Sequence, residues 1–141
     1  MIAHWPGRIA AGSVSDHPSA FWDIMPTLAH LIGARVPHHS DGISFLPTLL
    51  GMVEDQVDHA YLYWEYLSRG GSQAVRMGDW KGIRTGIVGD SGAPIQLYQL
   101  RDDISEQNNV ADAYPEIVAQ IKRVMQMRTP SHIEKWNFEF Y

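Results

Sequence analysis

A two-residue turn signal, Gly78-Asp79, joins two short runs of strand-forming residues and constrains the fold more than any other feature. The runs cover residues 72–77 and 80–85. A connection of two residues is typical of a β-hairpin with a type I′ or II′ turn, and the loop length then sets which residues pair. The sequence therefore predicts a hairpin in which Met77 lies opposite Trp80.

The same register places two positive side chains opposite each other, Arg76 and Lys81. Like charges at directly opposed positions destabilise a sheet by about 0.2–1 kcal/mol unless an acid lies between them. Glu65, on the preceding predicted strand, is the acid that we expect there.

Two further strands and one helix complete this region. The strands are predicted over residues 60–66 and 95–100. The helix follows from apolar side chains at helical spacing, namely Tyr114, Ile117, Val118, Ile121, Val124 and Met125. Strands followed by one amphipathic helix predict an α+β fold, a small antiparallel β-sheet with one long C-terminal helix packed on it.

The first part of the chain follows a different pattern. Met1 to Trp5 is a short apolar run that ends at a Pro-Gly turn, which predicts a buried strand. Apolar residues at helical spacing predict a helix over 21–33, with Asp23 as N-cap and Pro26 in the first turn. Residues 34–58 predict an irregular segment with one helical turn.

Composition excludes several classes of function. The 141 residues contain no cysteine, so thiol nucleophiles, thiolate metal sites and disulfides are excluded. The formal net charge of −5 is the wrong sign for a surface that neutralises nucleic acid phosphates. No apolar run approaches the roughly 20 residues that cross a bilayer, and residues 1–6 do not read as a signal peptide. Nucleic acid and membrane partners are therefore not expected.

Seven histidines raise the question of a metal site. His38, His39, Asp41 and His59 form the densest group of potential ligands. Adjacent histidines in an extended segment point to opposite sides, and the spacing to His59 matches no known metal signature. Surface or hydrogen-bonded loop histidines are the favoured interpretation, with no metal site expected.

Nucleophilic catalysis has no local signature either. Ser13, Ser15 and His17 are close in sequence, but no G-x-S-x-G elbow is present. Asp103 and Glu106 lie in an acidic stretch that lacks the pattern of a calcium loop. We interpret all of these as turn and cap residues, and expect no catalytic residue in this chain.

Short blocks along the chain, in a fixed order, carry a family resemblance. They are Trp5-Pro6-Gly7, Pro26-Thr27-Leu28, Leu31-Ile32-Gly33, Asp41-Gly42, Leu46-Pro47, Tyr63-Trp64-Glu65, Ala74-Val75-Arg76, Gly78-Asp79-Trp80-Lys81, Leu97-Tyr98-Gln99-Leu100 and Asp103-x-x-Glu106-x-x-Asn109. Their joint order over residues 1 to about 128 resembles the C-terminal portion of a formylglycine-dependent sulfatase of the arylsulfatase type.

The resemblance implies a larger parent that hydrolyses sulfate esters of aryl or carbohydrate substrates. Residues 1–58 would be the end of its α/β domain, a strand-helix-loop remnant, and residues 59–141 its C-terminal subdomain of sheet plus helix. Calcium and formylglycine would belong to the full-length member. Family members are often periplasmic, secreted or lysosomal, which leaves the location of this chain open.

The chain departs from the family where the chemistry lies. The nucleophile motif C-x-P-x-R or S-x-P-x-R is absent, and so are the family's calcium-binding aspartates. Met1 falls where family members have an ordinary strand residue, which suggests an internal start, a truncated gene or a gene fragment. We therefore expect the chain to be inactive alone.

Two segments remain as candidates for the rim of a substrate cleft. Arg69 lies in the loop 66–71, and His38 and His39 lie in the irregular segment. The planar fork of arginine suits a sulfated or carboxylated substrate, although a solvated loop arginine is the plainer interpretation. The alternative function is a non-catalytic module that binds a partner or self-associates as a homo-oligomer, because apolar surface on residues 1–5 and 21–32 would be uncovered.

Overall fold

A computed structural model describes residues 1–88, 92–133 and 136–137. The chain forms two compact units, Met1–His59 and Ala60–Tyr141. The assignment of residues 1–58 and 59–141 to two domains of a larger parent stays a prediction. Within the described ranges, no helix has both the length and the apolar character that a membrane crossing requires.

The second unit contains a four-stranded antiparallel sheet in the order β1-β2-β3-β4. Its strands are β1 (Leu62–Tyr66), β2 (Ser72–Met77), β3 (Trp80–Thr85) and β4 (Gln96–Gln99). The predicted hairpin is confirmed, with Met77 opposite Trp80 and Gly78 at φ +58° in the turn. The two-residue loop leaves only one register, which explains why the prediction held.

Helix α3 (Pro115–Gln126) packs on one face of this sheet, as the sequence predicted. The apolar stripe of α3 meets the sheet in a fully buried cluster of four side chains: Val75, Leu97, Ile121 and Met125. A short 3-10 turn, Ala111–Ala113, precedes the helix. The α+β fold class is therefore confirmed.

Glu65 does not neutralise the paired cations, so that expectation was wrong. Lys81 Nζ lies 2.6 Å from Glu106 Oε1, and Arg76 Nε donates to the carbonyl of Gly78. Glu65 pairs in register with Gln73, three residues from Arg76 along β2. Residues separated by an odd number along a strand point to opposite faces, so Glu65 and Arg76 face away from each other.

The first unit is organised by helix α1 (Ile24–Leu31), which follows a 3-10 turn at Phe21–Asp23. Asp23 occupies the predicted N-cap position but makes no cap bond from its side chain. Pro26 lies in the first turn of α1, as predicted. Two short helical turns follow within the irregular segment, α2 (Leu46–Leu49) and Val53–Asp55.

The predicted buried strand at residues 1–5 is wrong. Met1 and Ile2 are exposed, and no strand is assigned to this segment, which ends at a turn in which Trp5 accepts the N–H of Arg8. A strand needs a neighbour for its backbone hydrogen bonds, and the described strands of this chain all lie in the second unit.

The C-terminal tail is described only at residues 131–133 and 136–137. Asn137 is buried, and its Nδ2 donates to the carbonyl of Ser131 at 3.0 Å. The predicted anchoring of the aromatic residues Phe138, Phe140 and Tyr141 lies outside the described residues.

Candidate functional site

Arg69 lies at the tip of the β1–β2 connection, in a tight turn closed by a bond from Gly71 N–H to the carbonyl of Ser68. Arg69 has φ +57° and Gly70 has φ +82°. Positive φ at both central positions is the type I′ pattern, which strongly prefers Asn-Gly and places a long side chain such as arginine under strain. Arg69 is therefore an exposed residue whose backbone has a conformation that arginine rarely adopts.

The base of this turn is fixed by the segment that follows β3. Val88 N–H donates to the carbonyl of Gly70 at 2.9 Å, and Gly86 N–H donates to the carbonyl of Gly71 at 2.8 Å. Gly86 itself has φ +70°, a value that glycine adopts without strain. These two backbone hydrogen bonds join the turn that carries Arg69 to the segment after β3, so they fix the backbone of that turn.

His38 and His39 lie in an exposed turn of the first unit, closed by a bond from Ser40 N–H to the carbonyl of Pro37. His59 is instead partly buried and packs against Asp23, with its Nε2 2.8 Å from Asp23 Oδ1. The four potential metal ligands named from the sequence are therefore not brought to one point. Throughout the described ranges, no three His, Asp or Glu side chains are arranged to hold a metal ion.

The other polar candidates have structural partners. His17 N–H donates to Ser15 Oγ, and the His17 ring pairs with Asp58 rather than with a serine. The Asp103 carboxylate accepts the backbone N–H groups of Gln107 and Asn108. These backbone bonds, that of Gln107 first, lower the pKa of Asp103. Ser15 and Asp103 thus accept backbone hydrogen bonds within their own turns, while the ring of His17 and the carboxylate of Glu106 pair with distant residues.

Sequence reasoning missed a polar network at one end of the helix-covered sheet face. Gln73 Nε2 donates to Tyr63 Oη at 2.6 Å and to Glu65 Oε1 at 3.0 Å, while Tyr63 Oη donates to the Glu65 carboxylate. Arg84 Nε donates to Gln73 Oε1 at 2.7 Å, and Arg128 Nε lies 3.1 Å from Glu65 Oε1. Arg84, Arg128 and the carboxylate of Glu65 thus belong to one partly buried hydrogen-bonded network.

Burial raises the pKa of Tyr63 well above its usual range, and the neighbouring Glu65 carboxylate raises it further. The phenol therefore stays protonated and acts as a donor. Part of this network was predictable, because the hairpin register places Gln73 opposite Arg84. The pairing of Glu65 with Gln73 was not, since the five residues between β1 and β2 do not fix a register.

Among the residues that the structure describes, no cluster of side chains fits calcium. An oxygen-ligand site for calcium needs six to eight donors from several carboxylates or carbonyls. The buried carboxylate of Asp23 is already committed to two backbone N–H groups and His59, and that of Glu65 to Tyr63, Gln73 and Arg128. Both carboxylates are therefore engaged within the fold, and neither belongs to a cluster of metal ligands among the described residues.

The chain is similar to several sulfatases. It is 30% identical to human arylsulfatase A over 150 residues, which cover 90% of this chain and 29% of that protein. It is 29% identical to an N-acetylgalactosamine-6-O-sulfatase of Bacteroides thetaiotaomicron, covering 89% of this chain and 26% of the relative. The chain thus spans less than a third of the length of these relatives.

Solved structures give the same result. The crystal structure of Ps i-CgsB matches with a TM-score of 0.72 at 29% identity, over 87% of this chain and 27% of that one. A 2-O GAG sulfatase matches with a TM-score of 0.62 at 28% identity, over 74% and 23%. The fold is therefore that of the C-terminal part of a sulfatase.

The family itself is defined by a match over residues 1–131. This chain belongs to the family described as N-sulphoglucosamine sulphohydrolase, C-terminal.

Proposed function

We propose that this chain serves as the C-terminal part of a sulfate-ester hydrolase and does not break the ester bond itself. The observation that carries the proposal is the family match over residues 1–131 within proteins more than three times as long. The nucleophile motif C-x-P-x-R or S-x-P-x-R is absent from the sequence. The whole enzyme would act on a sulfated sugar or aryl sulfate.

Within that enzyme, Arg69 is proposed to bind the anionic group of the substrate. The guanidinium can donate two parallel hydrogen bonds to two oxygens of a sulfate or carboxylate. Its strained turn and the two backbone bonds beneath it support this role, because strain persists where the surrounding structure enforces it and is common at ligand-binding positions. His38 and His39, exposed in a turn of the first unit, are proposed separately as hydrogen-bond donors to the substrate.

A sulfated sugar bears the right chemistry for the test, since one relative is named an N-acetylgalactosamine-6-O-sulfatase. N-acetylgalactosamine 6-sulfate is titrated into ¹⁵N-labelled chain, and amide shifts are followed by NMR. We expect shifts at residues 67–71 that disappear in Arg69→Asn, and none with unsulfated N-acetylgalactosamine. Equal shifts with both sugars, or unchanged shifts in the variant, would contradict the role of Arg69.

The second candidate function is a non-catalytic module that binds a partner or a second copy. It is favoured by one observation, the exposed apolar side chains on α1 and at its two ends, which include Phe21, Leu28 and Ile32.

A further inference from the structure

The first unit contains a concave pocket of about 250 Å³, bounded by the segment 13–19 and helix α2. Polar and apolar side chains line it together, and we call it the hydroxyl pocket. Its polar side chains are Ser13, Ser15, His17, Ser19 and Thr48. Among the described residues, no lysine, arginine, aspartate or glutamate lines it. Small-molecule sites usually have this form, a concave apolar surface with a few polar groups.

The floor of the hydroxyl pocket is apolar and is held by hydrogen bonds within the unit. Phe45 and Leu49 line the pocket, and Phe45 is only 6% exposed. The N–H of Phe45 donates to Thr27 Oγ1 at 3.0 Å. The N–H and the hydroxyl of Thr48 both donate to Gln56 Oε1, at 3.2 and 2.7 Å. These bonds hold both ends of α2, so the floor is formed before any ligand binds.

The serine hydroxyls at the rim keep hydrogen-bonding capacity for a ligand. Ser13 Oγ donates to the carbonyl of Ala10 at 2.9 Å, which leaves its oxygen as an acceptor. Ser15 Oγ accepts the N–H of His17 at 3.1 Å, which leaves its hydrogen as a donor. The rim therefore offers both donors and acceptors, which is the requirement for binding a hydroxyl group on both its hydrogen and its oxygen.

His17 adds an acceptor whose identity is set by Asp58. The His17 side chain is 11% exposed, and its Nδ1 lies 3.1 Å from Asp58 Oδ1. A carboxylate only accepts, so the hydrogen of this contact lies on Nδ1, and Nε2 of the neutral imidazole is then an acceptor. Among the described residues, Nε2 has no hydrogen-bond partner. Asp58 therefore leaves His17 Nε2 to accept from a ligand in the hydroxyl pocket.

These features define the chemistry of the ligand. Donors and acceptors around an apolar floor suit a ring that carries several hydroxyls on one side and C–H groups on the other. An anion is disfavoured, because no cation lines the pocket and a charge that leaves water without a partner is costly. The volume of about 250 Å³ is below the roughly 300–1,000 Å³ of sites for drug-sized molecules, so the ligand is no larger than one sugar ring.

We propose that the hydroxyl pocket binds one neutral monosaccharide. His17 Nε2 accepts from a hydroxyl of the sugar, Ser15 and Ser19 donate to its oxygens, and its C–H face lies on Phe45. The site goes beyond the proposed function, because it selects an uncharged sugar whereas Arg69 is proposed to bind an anionic group.

The test titrates D-galactose, D-glucose and N-acetylgalactosamine separately into the ¹⁵N-labelled full chain and follows amide shifts by NMR. We expect at least one sugar to shift the signals of residues 13–19 and 45–49. The expected Kd is about 1–10 mM, the range that the usual ligand efficiency gives for roughly twelve non-hydrogen atoms. Cyclohexanol, an apolar ring of similar size, is expected to bind at least about fivefold more weakly, since it makes fewer hydrogen bonds. Sodium sulfate is expected to leave these signals unchanged.

Two variants remove the proposed hydrogen bonds. His17→Phe keeps a ring but loses the acceptor, and Ser15→Ala with Ser19→Ala removes two exposed hydroxyls. Each is expected to bind the sugar at least about fivefold more weakly. The matched controls, His132→Phe and Ser68→Ala with Ser105→Ala, change exposed residues outside the pocket and are expected to bind like the native chain. Circular dichroism verifies folding, and the serine variant decides the question if His17→Phe does not fold.

Three results would overturn the proposal. They are no shift at residues 13–19 and 45–49 with any of the three sugars, equal binding of cyclohexanol or sulfate, and an unchanged affinity in a folded pocket variant. The role of Arg69 is read separately, from the signals of residues 67–71, so failure of the hydroxyl pocket leaves the proposed function standing.

Discussion

Ile121 of α3 lies directly over Gly82 of β3, so closely that the helix leaves no room for a side chain there. A Cβ added at residue 82 would lie 2.6 Å from Ile121 Cγ2 and 2.9 Å from its Cδ1. The contact lies within the buried cluster that holds the helix on the sheet. The absence of a side chain at residue 82 thus sets the distance between the two layers.

Gly82→Ala is expected to destabilise the second unit by about 1–3 kcal/mol, the usual cost of overpacking a core. Urea denaturation measures the change. Adding Ile121→Val, which shortens the side chain above residue 82, is expected to recover part of the loss. An unchanged urea midpoint for Gly82→Ala would contradict this account, because it would show that α3 moves away from the sheet at no cost in stability.

Asp23 joins three distant parts of the first unit, and Asp23→Ala removes that junction. The substitution leaves the N–H groups of Ala20 and Ile43 and the ring of His59 without their acceptor. We expect a loss of about 3 kcal/mol, given 1–3 kcal/mol for each buried group left unpaired. Hydrogen exchange at Ala20 and Ile43 reports it, with the exposed Asp41→Ala as control. Protection that survives in the Asp23 variant would contradict this account.

Tyr63 makes the stability of the second unit sensitive to alkali. Its pKa is raised in the folded chain, so above about pH 10 the unfolded chain releases a proton that the folded chain keeps. Stability from this group is present below that pH and is lost as the pH rises beyond it. We expect the free energy of unfolding to fall more steeply above pH 10 in the native chain than in Tyr63→Phe. Tyr61→Phe, at an exposed position, should retain the native slope.

Arg69→Asn is expected to make the chain more stable while removing a binding group. Asparagine tolerates positive φ better than arginine, and the relief is about 0.5–1 kcal/mol. Thermal unfolding measures the gain, with Arg35→Asn as a control at an exposed residue that is not among the positive-φ positions. A loss of stability would mean that Arg69 serves the fold rather than a ligand.

Local sequence signals predicted the second unit well. The Gly78-Asp79 loop admits one register, so the hairpin followed from neighbours in sequence. The apolar side chains along one face of α3 need an apolar surface to cover, so the packing of α3 on the sheet followed as well. The partner of Lys81 was missed because Glu106 lies 25 residues away, beyond β4. Its position depends on the turn after β4, for which the sequence offers no fixed geometry.

The first unit shows the limit of periodicity. The spacing of Phe21, Ile24 and Leu28 predicted a helix, but spacing does not tell which face the chain itself can cover. The position of Asp23 predicted a local helix cap. Its Oδ1 instead accepts the N–H of Ile43, 20 residues away, and lies within hydrogen-bond distance of the His59 ring, 36 residues away. Long-range polar contacts of this kind require the tertiary structure.

The central claim is that this chain is the C-terminal part of a sulfatase and that the groups that break the ester bond lie outside it. The most direct measurement is hydrolysis of an aryl sulfate by the purified chain with calcium present, and human arylsulfatase A as the positive control. We predict a rate equal to that of buffer. Turnover above buffer that follows the chain through purification would contradict the claim.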